Sequence, residues 1–579
     1  MIHLTVNNRP VSVPEGTTIL DAAKKLGINI PTLCYLNLHD INYVNETASC
    51  RVCMVEVEGF KKLFPACATP VTQNMCVHTD TAKTIQARRQ IIELLLSDHP
   101  NSCLTCAKSM NCELQKLAND LGIRKLHYNG EMSSHPIDSD SLSILKDPNK
   151  CILCQRCKTI CNEVQTVGAL ATIGRGFNTY VGSVFDRPMH ETTCTFCGQC
   201  VAVCPTGALT EMNNIGQVWN LINDKTKTVV VQTAPAVRVA LGEEFGLEPG
   251  AVVTGKMVNA LRRIGFAKVF DTNFAADVTI MEEASEFVHR FKNGGKLPML
   301  TSCCPGWVNF FENQFPDLLD IPSSCKSPHE MFGAITKHYL AEKMGVKKED
   351  MILVSVMPCV AKKFEAARPE LAERGTRDVD AVITTRELAI MIKEMGINFD
   401  ALDENDDFDN PLGESSGAGT IFGVTGGVIE AALRTAYEWM TGEELEKMEF
   451  EDLRGLKGTK KAQIDIGGEK VRIGVVNGLG NARRLLEKIR SGEEQFHAVE
   501  IMACPGGCIA GGGQPYHHGK LDILEKRAKA IYSEDEKKVI RQSHKNPSVQ
   551  KIYEEFFGDI YGENAHFYLH THYKANPRY

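Results

Sequence analysis

The sequence lacks any run approaching the roughly 20 consecutive apolar residues that a membrane-spanning helix needs. Its first ten residues, MIHLTVNNRP, lack the basic segment followed by an apolar segment that marks a secretory signal peptide. No strong excess of positive charge is present: the net charge is −8, and acidic and basic residues are mixed throughout, which argues against nucleic acid as the main partner. These absences predict a cytoplasmic protein with no membrane segment.

Cysteine, in contrast, is abundant. A chain of 579 residues is too long for one hydrophobic core, so we expect several domains. Most of the 22 cysteines fall in tight clusters with gaps of two residues. Reducing compartments disfavour disulfides, so the clusters indicate metal binding.

The first predicted domain covers residues 1–78, with a hairpin turn at Asn7-Asn8. Its four clustered cysteines have the spacing C-x15-C-x2-C-x13-C and are Cys34, Cys50, Cys53 and Cys67. Four thiolates on a small β-rich module suit a 2Fe–2S cluster, although the spacing is not that of plant ferredoxins. A structural zinc ion held by the same thiolates is the alternative, and we favour iron because of the neighbouring motifs.

The second predicted domain, residues 79–138, contains a helix rich in isoleucine and leucine and then the pattern H-x3-C-x2-C-x5-C. The pattern consists of His99, Cys103, Cys106 and Cys112. One imidazole and three thiolates could bind zinc, but beside other iron–sulfur signals they favour a 4Fe–4S cluster with one histidine ligand. His99 is the weakest ligand of the set, because helix ends often carry a histidine without a metal.

The third predicted domain, residues 139–212, contains two copies of C-x2-C-x2-C-x3-C. In ferredoxins with two 4Fe–4S clusters, the fourth cysteine of each copy binds the other cluster. The first cluster is therefore expected on Cys151, Cys154, Cys157 and Cys204, and the second on Cys194, Cys197, Cys200 and Cys161. Zinc rarely uses this spacing. Such a row of clusters passes single electrons, so it requires a terminus where chemistry takes place.

The fourth predicted domain, residues 213–519, alternates apolar runs with amphipathic segments, which predicts an α/β fold with a mostly parallel sheet. Three of the runs end in cysteines, and another ends at Ala234-Pro235. Because ligands of open α/β sheets bind beyond the carboxyl ends of the strands, we expect these ends to converge on one site. Four thiolates would come from Cys304, Cys359, Cys504 and Cys508.

Glycine-rich stretches in this domain, residues 415–427 and 477–482, precede predicted helices. They could bind phosphate at a helix N-terminus. Neither has GK[ST] or a full G-x-G-x-x-G, so we favour close packing against a cluster. Residues 520–579 are predicted to be a helical C-terminal segment, whose His566, His570 and His572 could bind a metal but more often would pack locally.

Three motifs resemble the signatures of the iron-only (FeFe) hydrogenases: TSCCPGW, MPCVAKKFEA, and MAC-x3-C followed by GGGQP. The resemblance covers nearly the whole chain and is to the long, multi-cluster type, which also occurs as the catalytic subunit of NAD(P)-linked and electron-bifurcating complexes. Residues 520–579 resemble the small subunit that is a separate chain in some relatives.

The resemblance implies a set of cofactors and partners. These are one 2Fe–2S cluster, three accessory 4Fe–4S clusters and an H-cluster, whose 4Fe–4S cubane is linked through Cys508 to a diiron unit carrying CO, cyanide and an azadithiolate. It implies reversible hydrogen oxidation, 2H⁺ + 2e⁻ ⇌ H₂, with ferredoxin or NAD(P)H-oxidising flavoprotein subunits, and maturation proteins, as partners.

The resemblance also implies roles for individual side chains. Cys303, a free thiol beside Cys304, would donate protons to the azadithiolate amine. The proton path would continue through Glu283, Ser323, Glu286 and Arg290, and without the resemblance we would interpret these charges as a solvated helix face. Lys362 would bond a cyanide ligand, the alternative being a surface lysine. Met357, Met502 and Phe422 would shield the diiron unit.

Three positions depart from relatives of this family: Ala236 and Pro505 stand where some have serine and histidine, and His329 where many have glutamine.

The expected architecture is thus α+β and multidomain: a β-grasp 2Fe–2S domain, a connector with one histidine and three cysteines, a two-cluster ferredoxin-like domain, an α/β catalytic domain and a helical tail. Two non-catalytic functions are the alternatives. One is an iron–sulfur scaffold like the hydrogenase-related cluster-assembly proteins, and the other is an electron-relay subunit like the first part of respiratory NADH dehydrogenases.

Overall fold

The computed structural model describes residues 1–38, 43–45, 47–372 and 376–578. The chain forms two compact units. The first consists of Met1–Glu163, Gly168–Met189 and Val203–Thr210, and the second of Val164–Val167, His190–Ala202 and Glu211–Tyr579. Every helix in the described part of the chain is too short or too polar to serve as a membrane span.

The N-terminal part of the first unit is a five-stranded sheet that packs against one helix. The elements of this part are β1 (Ile2–Val6), β2 (Arg9–Val13), α1 (Ile19–Lys25), β3 (Asn37–Leu38), β4 (Tyr43–Val44), β5 (Met54–Val57), β6 (Leu63–Pro65) and β7 (Cys76–His78), of which β3 and β4 form a separate two-stranded sheet. The strand order is β2-β1-β7-β5-β6. Asn7 and Asn8 both have positive φ, as a tight hairpin between antiparallel β1 and β2 requires, so the predicted turn is confirmed.

The remainder of the first unit consists of short elements between cysteine-bearing loops. They are α2 (Ala82–Ser97), α3 (Glu113–Asp120), β8 (Ile144–Lys146), α4 (Arg156–Thr159), β9 (Leu170–Ile173), β10 (Tyr180–Ser183) and β11 (Leu209–Glu211). Strands β9 and β10 form an antiparallel hairpin, and β8 pairs with β11.

The second unit contains two four-stranded sheets. Its strands are β12 (Thr228–Thr233), β13 (Lys268–Asp271), β14 (Met299–Leu300), β15 (Met351–Met357), β16 (Ala381–Thr384), β17 (Thr459–Ile466), β18 (Glu469–Asn477) and β19 (Ala498–Met502). The order β13-β12-β15-β16 is parallel throughout, and β14-β19-β18-β17 is parallel except for the β17–β18 hairpin. The predicted α/β domain with a mostly parallel sheet is confirmed.

Helices surround these sheets. They are α5 (Gln199–Val203), α6 (Ile215–Asn223), α7 (Thr254–Ile264), α8 (Thr272–Lys292), α9 (Pro305–Gln314), α10 (Pro328–Ile335), α11 (Ala341–Lys343), α12 (Ala361–Glu365), α13 (Thr385–Glu394), α14 (Gly417–Thr420), α15 (Gly427–Thr441), α16 (Leu479–Ser491), α17 (Leu521–Lys537), α18 (Pro547–Ile552) and α19 (Glu563–Leu569). Every residue of β15 and β19 is buried, which explains why both strands appear in the sequence as continuous apolar runs.

The helical C-terminal segment is anchored by a buried ion-pair network. Arg434 on α15 bonds Asp535 on α17 at 2.8 Å and Glu430 at 2.7 Å, and none of the three side chains is exposed. Removing one partner of such a buried pair typically costs about 3–5 kcal/mol, because a charge is left uncompensated. The segment is therefore an integral part of the second unit.

Candidate active site

Four thiols from three strand ends meet in one cavity. Cys304 precedes α9 after β14, Cys359 follows β15, and Cys504 and Cys508 follow β19. The convergence expected from the strand-end rule is therefore found. The other predicted cavity residues are there too: Ala234, Pro235, Cys303, Met357, Lys362, Phe422 and Met502 all line it, as do Ala236 and His329.

The cavity disfavours thiolates unless a cation is present. Burial raises the pKa of Cys359 to about 12, and the neighbouring Cys304 contributes to the shift. Burial likewise raises the pKa of Cys504 well above its usual range, with further contributions from Cys359 and Cys304. Thiolates crowded in such a site are stabilised when a metal compensates their charge. This donor set and its crowding fit a cubane iron–sulfur cluster.

The glycines of the last cysteine loop hold this loop close to neighbouring segments. Gly507 has φ of +91°, and a Cβ there would lie 2.6 Å from the backbone nitrogen of Thr425 and 2.9 Å from Met502 Sδ. A Cβ on Gly511 would lie 2.1 Å from the carbonyl oxygen of Pro358. The glycines thus allow three cavity-lining segments to approach one another.

The glycine-rich stretch of residues 415–427 also packs closely, but its nearest neighbours are protein atoms. A Cβ on Gly419 would lie 2.5 Å from the carbonyl oxygen of Asn273, and one on Gly417 would lie 2.0 Å from Asp535 Oδ1. Steric contact with α8 and α17 accounts for these two glycines without a phosphate.

Cys303 lies in the cavity wall beside a buried carboxyl group. Burial raises the pKa of the Cys303 thiol well above its usual range, and the neighbouring Glu283 charge adds to the shift. The thiol is therefore protonated at neutral pH and holds a proton at the cavity. The hydroxyl of the adjacent Ser302 donates to the carbonyl oxygen of Cys325 at 2.7 Å and lies 3.4 Å from Glu283 Oε1.

Glu283 and Glu286 on α8 are each only 1% exposed, so the alternative of a solvated helix face is wrong for these two positions. Burial, together with the neighbouring Glu286 charge, raises the pKa of Glu283 to about 7. Ser323 Oγ donates to Glu286 Oε2 at 3.0 Å, and Arg290 pairs with Glu286 Oε1 at 2.5 Å. The five residues predicted as a path therefore lie in one connected region.

Ser324, which sequence reasoning missed, and His570, which it named only as a possible metal ligand, both lie beside this path. Ser324 donates to Glu286 through its backbone at 3.1 Å and its hydroxyl at 3.2 Å. The same hydroxyl lies 2.8 Å from His570 Nδ1, and His570 Nε2 lies 2.9 Å from Glu282 Oε2. Ser324 could have been found from its position, because it directly follows Ser323, which was assigned to the proton path. His570 is therefore held by hydrogen bonds to side chains of two other segments.

Only 11% of the Lys362 side chain is exposed, so the alternative of a surface lysine is wrong. Its ammonium donates to Glu365 Oε2 at 2.7 Å, Ser327 Oγ at 2.9 Å and the carbonyl oxygen of Cys303 at 3.2 Å. Sequence reasoning also missed Glu365, although it follows Lys362 by three residues within the motif that contains both. Its carboxylate lies 2.9 Å from His329 Nδ1 as well.

In the first unit, the loop sulfurs of the N-terminal sheet lie together. The backbone nitrogen of Cys34 donates to Cys50 Sγ, and that of Cys50 donates to Cys34 Sγ, at 3.4 and 3.5 Å. Cys53 Sγ and Cys67 Sγ are 3.3 Å apart. Backbone N–H groups directed at sulfur stabilise thiolates, so the four cysteines suit a bound 2Fe–2S cluster.

His99 has a nitrogen available for a metal. Its Nδ1 bonds the carbonyl oxygen of Pro100 at 2.9 Å, while its Nε2 is buried without a hydrogen-bond partner among the described residues. A metal-binding histidine commonly has one nitrogen fixed in this way by a backbone carbonyl. The geometry supports the weakest of the predicted ligands.

The two ferredoxin-like copies share their backbone conformation. Leu153 and Phe196, at matching positions, have φ of 53° and 57°, and Gln155 and Gly198 have φ of 62° and 72°. In each copy the residue two after the first cysteine donates its N–H to that sulfur at 3.4 Å. The internal repeat is therefore also structural.

The first cysteine set surrounds a second cavity, which is lined by Cys151, Cys154, Cys157 and Cys204. The second cysteine set is divided between the two units: Cys194, Cys197 and Cys200 belong to the second unit, and Cys161 belongs to the first. A cluster bound by all four of them stays a prediction. Within the second unit, Cys504 Sγ lies 3.9 Å from the carbonyl oxygen of Cys197. Within this unit, the second copy of the repeat therefore lies beside one of the cavity loops.

Cysteine-bearing ferredoxin-like loops and a thiol-lined cavity at the strand ends of an α/β domain together define an iron–sulfur oxidoreductase. Comparison with known proteins narrows this class. Residues 227–512 match the iron only hydrogenase large subunit, C-terminal domain, and residues 521–576 match the iron hydrogenase small subunit. Residues 1–82 match a 2Fe-2S iron-sulfur cluster binding domain, 88–127 the NADH-ubiquinone oxidoreductase-G iron-sulfur binding region, and 142–210 the NADH-quinone oxidoreductase subunit 3, ferredoxin-like domain.

Individual relatives agree with these matches. The chain is 57% identical to the NADP-reducing hydrogenase subunit HndD of Solidesulfovibrio fructosivorans over 100% of both chains. It is 41% identical to iron hydrogenase 1 of Clostridium pasteurianum over 99% of this chain and 100% of the relative. Among solved structures, a variant of the apo [FeFe]-hydrogenase HydA1 of Chlamydomonas reinhardtii is 44% identical with a TM-score of 0.57, covering 63% of this chain and 100% of that one.

The chain belongs to the iron-only (FeFe) hydrogenase family. Its function is the reversible oxidation of molecular hydrogen, with accessory iron–sulfur domains that relay electrons. This supports the catalytic interpretation over the scaffold and relay alternatives, because the whole-length relatives are hydrogenases.

Proposed function

We propose that the protein interconverts H₂ with protons and electrons at an H-cluster held by Cys304, Cys359, Cys504 and Cys508, and that it exchanges electrons with an NAD(P)H-linked flavoprotein partner. The observation that carries this proposal is the convergence of these thiols, with Cys303 and the buried Glu283 beside them. When bound, the diiron unit supplies the metal chemistry that makes and splits H₂. The chain's own residues hold this group, exclude water and move protons.

Protons enter and leave along the path named above. Cys303 holds a proton at the cavity because its thiol is neutral at physiological pH. Glu283, with a pKa of about 7, accepts and releases a proton with little driving force in either direction. Glu286 and Ser323 connect it to Arg290, whose guanidinium marks the outer end.

Electrons travel through the accessory clusters. We assign one 2Fe–2S cluster to Cys34, Cys50, Cys53 and Cys67 and three 4Fe–4S clusters to the His99 set and the two ferredoxin-like sets. The approach of Cys197 to Cys504 supports transfer from the last accessory cluster to the cubane.

The proposed flavoprotein partner is inferred from the functions by which similar proteins and families are named. The 57% identical relative is an NADP-reducing hydrogenase subunit, and two of the accessory segments match NADH oxidoreductase families. A flavoprotein subunit that oxidises NAD(P)H fits both, with ferredoxin as the other electron carrier, and maturation proteins would install the diiron unit. We place the protein in the cytoplasm, where reduced pyridine nucleotides and free thiols are maintained.

Infrared spectroscopy of the matured holoprotein tests the chemistry. We expect bands of iron-bound carbonyl and cyanide together with H₂-dependent reduction of a viologen dye. Absence of the bands would refute the H-cluster assignment. Purification of the native complex tests the partner: a co-purifying flavoprotein and H₂-dependent NAD(P)⁺ reduction are expected, whereas a homogeneous single subunit that reduces only ferredoxin would contradict it.

A further inference from the structure

Residues 571–578 form a segment that runs from the proton path to the second ferredoxin-like copy. Near one end, the Tyr573 hydroxyl donates to the carbonyl oxygen of Ser323 at 2.7 Å. At the other end, the Arg578 guanidinium donates to the carbonyl oxygen of His190 at 3.2 Å. The segment and both of these contacts lie within the second unit. It therefore places an arginine side chain beside the cysteine loop of residues 194–200.

The Arg578 guanidinium lies over two aromatic rings. Its Cζ is 5.9 Å from the ring centroid of Phe196 and 5.8 Å from that of Phe364. The two rings contact each other, with centroids 4.7 Å apart and planes inclined by 36°. A cation within about 6 Å of a ring centroid is attracted to the ring. The rings thus hold the guanidinium in place without a carboxylate.

Phe196 connects the guanidinium to a proposed cluster ligand. It stands between Cys194 and Cys197, and its backbone N–H donates to Cys194 Sγ at 3.4 Å. Phe196 is only 1% exposed. Phe364 lies in α12, after the proposed cubane ligand Cys359. The guanidinium therefore lies where a ferredoxin-like loop meets the helix that follows a cavity cysteine.

The charge of Arg578 has little compensation from carboxylates. Among the described residues, no carboxylate oxygen lies within 4.0 Å of this guanidinium. Burial lowers the pKa of Arg578, and the negative charges that oppose this shift are those of Cys194 first and Glu312 second. Glu312 is already paired with Arg368 at 2.6 Å. Cys194, as a cluster-bound thiolate, is therefore the counter-charge that remains for Arg578.

We propose that the Arg578 guanidinium raises the reduction potential of the 4Fe–4S cluster whose ligands include Cys194, Cys197 and Cys200. A cluster gains one negative charge when it is reduced, so a fixed cation beside it stabilises the reduced form. Net charge around a cluster is one of the properties that set its potential. A higher potential makes this cluster a better acceptor for electrons released by H₂ oxidation. The proposal rests on the cluster assignment above and adds a residue that tunes one cluster.

Redox titration of the matured holoprotein, followed by electron paramagnetic resonance, tests the proposal. Cys200→Ser identifies the signal of this cluster as the one that it removes or alters. Arg578→Gln removes the charge and should move the midpoint potential of that signal to a more negative value. Arg578→Lys retains the charge and should stay closer to the wild-type value. Lys574→Gln, which removes an exposed charge from the same segment, is the matched control and should leave the potential unchanged.

Each outcome has a distinct consequence. An unchanged midpoint potential in Arg578→Gln overturns the role of Arg578. Equal shifts in Arg578→Gln and Arg578→Lys also overturn it, because they would show that the side chain fixes the loop rather than supplying a charge. Loss of cluster iron in either Arg578 variant would likewise assign the arginine a structural role.

Two further results concern the control and the cluster itself. A shift in Lys574→Gln as large as that in Arg578→Gln would show a general effect of surface charge and refute the proposal. A Cys200→Ser variant that keeps every cluster signal unaltered refutes the cluster assignment, and the role of Arg578 falls with it.

Discussion

Lys362 Nζ and Glu365 Oε2 lie 2.7 Å apart on the first turns after Cys359, with only 11% and 7% of their side chains exposed. Burial opposes ionisation of Glu365, but Lys362 and His329 outweigh it and lower its pKa. One carboxylate thus organises two cations in the wall of the catalytic cavity. The pair is part of the site rather than of a surface.

Glu365→Gln should therefore disturb the site. Removing the charge leaves Lys362 without its buried counter-charge and His329 with Glu330 alone, which costs about 3–5 kcal/mol. We expect thermal unfolding at lower temperature and less diiron unit retained per cubane, measured by iron content and carbonyl band intensity. Glu370→Gln removes an exposed carboxylate paired with Arg368 and is the matched control. Equal retention in the two variants would contradict a central role for Glu365.

Cys303→Ala should abolish turnover while the iron content stays at the wild-type level. The reason is that Cys303 carries a proton and is not one of the four proposed cluster ligands. H₂ uptake with viologen measures turnover, and iron analysis with infrared spectra measures the clusters. Cys76→Ala, which replaces a half-buried thiol of the N-terminal sheet, should leave both unchanged. Turnover of Cys303→Ala near the wild-type rate would remove the thiol from the path.

Glu283 should titrate near neutrality. Its pKa of about 7 lies above the usual carboxyl value because of burial and the neighbouring Glu286 charge. A raised pKa means that the protonated form persists as pH increases and is lost only through about pH 7. Infrared difference spectra should show a protonated carboxyl band that disappears with this midpoint and is absent in Glu283→Gln. A carboxyl that is already ionised at pH 5 would show that the pKa is not raised. We also expect Glu283→Gln to lower turnover by about 10²-fold or more, the usual contribution of a positioned acid–base group.

Gly511→Ala should prevent correct assembly of the cavity. The added Cβ would meet the carbonyl oxygen of Pro358, a backbone atom that cannot move without displacing Cys359. Cubane content, measured by electron paramagnetic resonance, should fall strongly. Gly216→Ala is the matched control, since that glycine lies in α6 with nothing within 4 Å of its added Cβ. Normal cubane content in Gly511→Ala would show that the cluster still assembles when the Gly511 loop is pushed away from the Pro358 backbone.

His99→Ala removes a proposed ligand of one accessory 4Fe–4S cluster, so one cluster signal should disappear from the electron paramagnetic resonance spectrum. Electron transfer to the native acceptor should also become slower. H₂ uptake with a small dye that reaches other clusters should persist. His127→Ala, in which an imidazole with 65% of its side chain exposed is removed, should keep every signal. An unaltered spectrum in His99→Ala would assign the cluster a different ligand.

Much of the architecture follows from local patterns. Buried parallel strands such as β15 and β19 appear as uninterrupted apolar runs, and the repeated C-x2-C-x2-C-x3-C predicts equal backbone conformations that Leu153 and Phe196 indeed share. The rule that ligands bind beyond the carboxyl ends of parallel strands was sufficient to predict that Cys304, Cys359 and Cys504 lie close together.

By itself, then, the sequence determined the domain types, the cysteine groups and the position of the catalytic cavity, because each depends on residue spacing and on burial along single strands. Tertiary structure alone decided that Glu283 and Glu286 are buried, that Ser324 and His570 meet beside them, and that Lys362 and His329 share the carboxylate of Glu365. These properties depend on partners far apart in the chain and on the removal of water around them, and neither is encoded in any local pattern.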